Sequence, residues 1–92
     1  MFEWDAAKAA ANLADHGVPF EFAVRVFDDP ARVEFDVSRT RDGEARRKCV
    51  GRIAGKLYVV VFTMRGANCR IISARRANRA EERRYDDGAN EC

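Results

Sequence analysis

Histidine, proline and lysine are scarce in this chain. There is one histidine, there are two prolines, and only Lys8, Lys48 and Lys56 are lysines among 17 basic residues. A lone histidine excludes a two-histidine acid–base pair and a histidine-rich metal site. The three cysteines, Cys49, Cys69 and Cys92, are odd in number, widely spaced and without a Cys-x-x-Cys, so they mark neither a disulfide framework nor a zinc knuckle. This usage fits a reducing cytoplasm. Cys49 and Cys69 fall in predicted strands, where cysteine serves as a small buried hydrophobe. No stretch approaches the ~20 apolar residues of a membrane helix. The longest apolar run, Leu57 to Phe62, has six residues. The N-terminus lacks a basic patch before an apolar run, so no secretory leader and no membrane partner are expected. Gly-rich phosphate loops, dinucleotide turns, His-Glu-x-x-His and Gly-x-Ser-x-Gly are all missing, and no cofactor or metal is expected. The acidic residues are scattered, which argues against a metal-dependent nuclease, and Asp28 and Asp29 read as turn chemistry.

What the chain has in quantity is arginine, unevenly placed. Residues 1–37 hold three basic and eight acidic groups, whereas 38–92 hold 14 basic and seven acidic groups; balances of −5 and +7 lie behind the net charge of +2. A guanidinium presents a planar fork of donors that matches phosphate oxygens two at a time. A basic half on a small domain is the footprint of a nucleic-acid binder; the alternative is a solvated charged surface. The length of 92 residues predicts a single domain over 1–92, and 47% hydrophobic residues argue against disorder.

Asp5 is a good N-cap for a first helix running to about Asp15, and Gly17 suits its left-handed C-terminal cap. Ala7, Ala10, Ala11 and Ala14 supply a small-residue packing face. Lys8, Asn12 and His16 recur at i, i+4 and i+8 and share one polar stripe. Pro19 suits the first turn of a second helix over 20–27, whose core face is Phe20, Ala23, Val24 and Phe27. Phe22 and Val26 point away from that face, either into a sandwich or toward a partner. The period then changes to two: Val33, Phe35 and Val37 alternate with Glu34 and Asp36 in a half-buried strand. After a polar loop at 38–44, strands are predicted at 45–53, 56–64 and 69–74, with a tight turn at Ala54-Gly55. The 56–64 strand is apolar enough to be covered on both faces. Asn78 and Glu81 have capping-box spacing and start a C-terminal helix to about Tyr85, with 86–92 as a frayed tail. The fold class is α+β: two N-terminal helices on one face of a three- to four-stranded antiparallel sheet, then a short C-terminal helix.

The chemistry-bearing constellation is basic. Arg46, Lys48 and Arg52 share one strand parity; Arg65 ends the third strand, Arg75 and Arg76 the fourth; Arg79 and Arg83 share a face of the last helix. Such a surface can cleave RNA without a metal. Phosphate contacts fix the strand, one group removes the 2′-hydroxyl proton, and arginines stabilise the charge on the phosphorane. Candidate bases are Glu44, His16 and Lys8. Tyr85 and Trp4 are candidate stacking platforms. The alternatives are structural: His16 complements a helix dipole, Glu44 pairs with Arg46 or Arg47, and Trp4 anchors the core.

Phe2-Glu-Trp-Asp5, Lys8, Asn12, His16-Gly17-Val18, Phe20 and Val26-Phe27-Asp28-Asp29-Pro30 resemble the N-terminal half of BrnT-type toxins. Gly43-Glu44-x-Arg46, Val50-Gly51, Thr63-x-Arg65, Arg70-Ile-Ile-Ser-Ala-Arg75-x-Ala77, Glu81 and Tyr85 resemble the C-terminal half. The chain departs from the family pattern at Pro19 and Phe22, and 38–41 lacks a histidine that many members place there. The resemblance implies a RelE-like fold and the toxin role of a type II toxin–antitoxin system: a small cytoplasmic, metal-independent endoribonuclease that arrests translation. It also implies neutralisation by a DNA-binding, BrnA-like antitoxin in a heterotetramer. On this reading Glu44, Arg46, Arg65, Arg75, Lys8 and His16 are catalytic candidates. Arg52, Lys48, Arg76, Arg79, Arg83 and Tyr85 contact RNA, and Phe22 and Val26 meet the antitoxin. Two alternatives use the same residues: a ParE-like gyrase poison and a non-catalytic RNA-binding module.

Overall fold

A computed structural model of the chain describes residues 1–39, 41 and 43–88. The element order is β1 (Phe2–Glu3), α1 (Ala6–His16), α2 (Phe20–Ala23), a 3₁₀ helix (Val24–Asp28), β2 (Val33–Asp36), β3 (Arg47–Ile53), β4 (Lys56–Arg65), β5 (Asn68–Arg76) and α3 (Arg79–Gly88). The α+β class is as expected, but the sheet is larger and mixed. Its order is β1-β5-β4-β3-β2, an antiparallel meander of β2 to β5 with β1 added in parallel to β5. Residues 1–3, which the sequence leaves open between a short strand and an extended arm, take the strand form because β5 offers an open edge, where the Cys69 N–H donates to the Met1 carbonyl at 2.8 Å.

Asp5 caps α1 by accepting from the Ala7 N–H at 3.1 Å, and Gly17 closes it at φ 69° with its N–H donated to the Leu13 carbonyl. The expected alanine face does not pack: Ala7, Ala10, Ala11 and Ala14 are exposed. The helix docks through Ala9 and the buried Asn12. The Asn12 amide accepts from the Ala74 N–H at 3.0 Å and donates to the carbonyls of Ala74 at 2.8 Å and Val18 at 3.0 Å. β1 pairs only with Cys69 and Arg70. Further along β5, the carboxamide therefore takes the place of a missing neighbouring strand and satisfies the bare edge.

The second helix changes type. One α turn, Phe20–Ala23, continues as the 3₁₀ helix. At about 120° per residue instead of about 100°, Phe22 and Val26 end up roughly 100° apart rather than on one face. Val26 is fully buried, and Gly51 lies so close that a Cβ there would sit 2.7 Å from the Val26 carbonyl oxygen. Val26 therefore presents nothing to a partner, which corrects the expectation for that residue. Phe22 is half-buried, edge-on to Tyr58 at 5.3 Å.

The reading of all helices on one face is corrected by α3, whereas the covering of the 56–64 strand on both faces is as expected. Val18, Phe20, Ala23 and Val26 pack on Cys49, Ile53, Val60, Phe62, Ile71 and Ala74 on one side of the sheet. On the other side Tyr85 of α3 covers Val50, Leu57 and Val59, with Val33, Phe35 and Ala77 around them. Strands β3 and β4 bury both parities, so a helix is required on each side. Helix α3 runs three residues past Tyr85, so 86–88 are helical; 89–92, including Cys92, lie outside the described residues, as do Thr40 and Asp42 of the 38–44 loop. Among the described residues no helix is long and apolar enough to cross a membrane.

Replacing Asn12 by leucine strands three buried backbone groups, and we expect a loss of about 2–4 kcal/mol in denaturant unfolding. Gly51→Ala pushes a methyl into the Val26 backbone, and we expect a loss of about 1–3 kcal/mol. A wild-type unfolding midpoint in either variant contradicts this packing.

Candidate functional site

The face of the sheet that carries α3 is only partly covered. Beyond the helix, Val37, Arg39, Arg46, Lys48, Val61, Ile72, Ser73 and Arg75 line an open depression of about 340 Å³. Strand parity explains most of this list. Lys48, Val61 and Ser73 are register partners across β3, β4 and β5, and Arg75 lies two residues beyond Ser73 on the same face. Ile72 joins them through an irregularity. The register shifts between Val61 and Phe62, which pair with Ser73 and Ile71, leaving Ile72 as the extra residue of a bulge.

One buried carboxylate organises the cations. Glu81, only 5% exposed on the first turn of α3, accepts from Lys48 Nζ at 2.7 Å and from both terminal nitrogens of Arg75 at 2.7 Å each. It also closes the capping box read from the sequence: its carboxylate accepts from the Asn78 N–H, and its own N–H donates to Asn78 Oδ1, both at 2.9 Å. Burial alone would raise the Glu81 carboxyl, but the donors from Arg75, the Asn78 N–H and Lys48 outweigh it and hold the group at about 2. The same pairing raises the Arg75 guanidinium. Glu44 sits beside Arg46 at 3.6 Å, and the Thr63 hydroxyl fixes that end of the loop by donating to the Ala45 carbonyl at 2.6 Å.

The predicted residues divide sharply. Arg46, Lys48 and Arg75 line the depression, and Glu44 touches one of its cations. Arg65 is exposed at the end of β4, outside the lining. Arg76 follows Arg75 directly on a strand and so points to the other side, over the Tyr58 ring at 5.4 Å. Arg52 has the parity of Lys48, but four residues at ~3.3 Å each carry it past the line where α3 crosses. There it lies over the Tyr85 ring at 5.5 Å. Arg79 and Arg83 are exposed, roughly 200° around α3 from the buried stripe of Glu81 and Tyr85, and face solvent. Lys8 and His16 are exposed on α1 at the outer edge of β5, and neither lines the depression.

Tyr85 is not a stacking platform. It is 6% exposed, and its hydroxyl donates to Asp29 Oδ2 at 2.7 Å. Burial, then the Asp29 carboxylate, raise its hydroxyl above the usual tyrosine range. Asp29 holds the turn as expected, accepting also from the N–H groups of Ala31 at 2.9 Å and Arg52 at 2.8 Å. Trp4 packs edge-on to Phe20 at 5.9 Å in the helical layer. Burial pushes the Cys49 thiol up to about 12 and Cys69 up to about 11, so neither is a nucleophile at neutral pH. No group of three or more metal-ligating side chains occurs among the described residues.

Parity from Arg75 back to Ser73 was available as a signal for the serine. No pattern announces the Ile72 bulge, and the capping box spoke only of a helix start, not of a carboxylate shared with two distant cations.

Because Glu81 binds its proton more weakly folded than unfolded, its stabilisation is complete above the ordinary value of 4.5 and drains as pH falls toward 2. At neutral pH Glu81→Gln is expected to cost about 2 kcal/mol after solvent screening of its partly exposed partners Lys48 and Arg75 is allowed for. Thermal melts of wild type and variant across this range are expected to converge at the acid end. A gap independent of pH contradicts the ion cluster.

A comparison with curated protein sequences returns no match. A sequence model of the family described as the ribonuclease toxin, BrnT, of type II toxin–antitoxin systems matches residues 4–81. That span includes β1's exit, every strand of the meander and the Lys48–Glu81–Arg75 cluster. The chain belongs to the BrnT family of type II toxin–antitoxin ribonuclease toxins.

Proposed function

We infer that this chain is a metal-independent endoribonuclease whose substrate backbone lies in the depression between the 38–44 loop and β5. The observation that carries this reading is the convergence of Arg39, Arg46, Lys48 and Arg75 on one open surface. A phosphodiester is the anion such a set fits, since guanidinium forks bind its non-bridging oxygens and keep them bound as charge builds in the phosphorane. The 2′-hydroxyl attacks its own phosphorus, the bond to the 5′-oxygen breaks, and that oxygen takes a proton from water. The products are a 2′,3′-cyclic phosphate and a 5′-hydroxyl. Of the three candidate bases, Glu44 is favoured, because it alone touches a cation of the depression. Arg65 stands at the same end of the sheet and meets the flanking backbone.

On this reading the protein is a RelE-like, single-domain cytoplasmic toxin over 1–92 that arrests translation, with a DNA-binding, BrnA-like antitoxin in a heterotetramer. The half-buried Phe22, with Arg25 over its ring at 5.4 Å, remains a candidate for the antitoxin contact.

Expression without a partner is expected to arrest growth, and purified protein to cleave RNA equally well with and without a chelator. Arg46→Ala and Glu44→Gln are each expected to lower the cleavage rate by about 10²-fold while leaving the melting temperature near that of wild type. Total RNA left intact, with ribosomes and without, rejects the reading.

A further inference from the structure

RNA binders combine phosphate contacts with a surface on which an unstacked base can lie. With Tyr85 and Trp4 excluded, the question is which aromatic ring remains available beside the cations. The chain has six phenylalanines, two tyrosines and one tryptophan. Phe2, Phe27 and Phe62 form one contact series, tilted then edge-on, Trp4 pairs with Phe20, and Phe22 pairs with Tyr58. All of these lie on the side of the N-terminal helices or at its margin. On the basic side only Phe35 and Tyr85 remain, and Tyr85 is buried.

Phe35 is half-buried on β2, the edge strand, and is the register partner of Lys48. It lines a second depression of about 230 Å³ with Lys48, Asn78, Ala80, Glu81 and Arg84. Lys48 belongs to the walls of both depressions, so the two adjoin across one side chain. The ring has Lys48 Nζ at 5.7 Å from its centroid and the Arg84 guanidinium at 4.1 Å. Arg84 is exposed, and a guanidinium plane is itself a stacking surface for a base.

We propose that Phe35 and Arg84 form a base-stacking subsite for single-stranded RNA, one nucleotide step from the phosphate held by Lys48, Arg46 and Arg75. The proposal rests on the ribonuclease reading and adds the group that grips a base. The base lies against the Phe35–Arg84 stack, either on the outer face of the guanidinium or in its place over the ring. Lys48 spans the two subsites, and Glu81 keeps it there. Stacking has no hydrogen-bond code, so this contact supplies affinity for an unpaired base of any identity and rejects duplex, whose bases are already stacked.

The test uses short single-stranded 2′-O-methyl RNA, which cannot be cleaved through the 2′-hydroxyl, and a set of the same oligonucleotides with one abasic ribose moved along the strand. Phe35→Leu keeps an apolar side chain against the Val50, Leu57, Val59 and Tyr85 cluster and removes the π face. It is expected to weaken binding to the intact oligonucleotide by about 5- to 100-fold. On the oligonucleotide abasic at the stacking position the same substitution is expected to change nothing. Phe35→Trp is expected to restore affinity, with its indole emission quenched when RNA binds; Trp4 on the far side gives a constant background. Should Phe35→Leu fail to fold, the Phe35→Trp quench and its loss with the abasic strand carry the decision alone. Equal affinity of Phe35→Leu and wild type, or a Phe35→Trp emission indifferent to RNA, overturns the stacking subsite while Arg46→Ala still lowers affinity. A wild-type protein that binds no RNA overturns both readings.

Discussion

The Glu81 carboxylate is the interaction on which the exposed half of the sheet depends. Its place on α3 is fixed twice: by the capping box with Asn78 and by the burial of Tyr85 one turn later. From there it reaches Lys48 on β3 and Arg75 on β5, two strands that flank β4 and do not touch each other. Two long cationic side chains that would otherwise repel and sample many rotamers are thereby held at the border of the open depression. The cost of burying a carboxylate is met by three charge-assisted donors, and removal of any one partner leaves charge uncompensated in a partly dry site.

This arrangement divides the labour of the fold. The N-terminal helical layer contains nearly all the aromatic packing and the Asn12 edge bond, and no residue from it lines the depression. The opposite face is only partly covered: α3 shields Val50, Leu57 and Val59 and leaves Val61 and Ser73 open. The bulge at Ile72 adds a side chain to the floor at the point where the strand passes from covered to open face.

The basic half of the sequence does not translate into one basic face, and the reasons are geometric. Arg75 and Arg76 are neighbours on a strand and so serve opposite sides of the sheet. Arg79 and Arg83 share a helical face, but the buried stripe of α3 belongs to Glu81 and Tyr85, which turns those arginines to solvent. Arg52 keeps the right parity and is cut off by α3 crossing between it and Lys48. Composition counts charges; only direction and distance from neighbouring elements make a site of them.

Local chemistry determined much of this protein from the sequence alone: the Asp5 and Gly17 caps, the period-two strands, the Ala54-Gly55 turn, the Asn78–Glu81 box and the family. Each of these depends on residues within a turn or a few positions of one another, or on motifs readable without coordinates. Tertiary structure alone decided that β1 joins the sheet, that the second helix tightens to 3₁₀ and buries Val26, and that Tyr85 faces inward to Asp29. It also decided that Glu81 serves two cations, 33 and 6 positions away in sequence. Those outcomes depend on which open edge, cavity or unpaired charge a distant segment meets once the chain has folded, and no local spacing encodes that meeting.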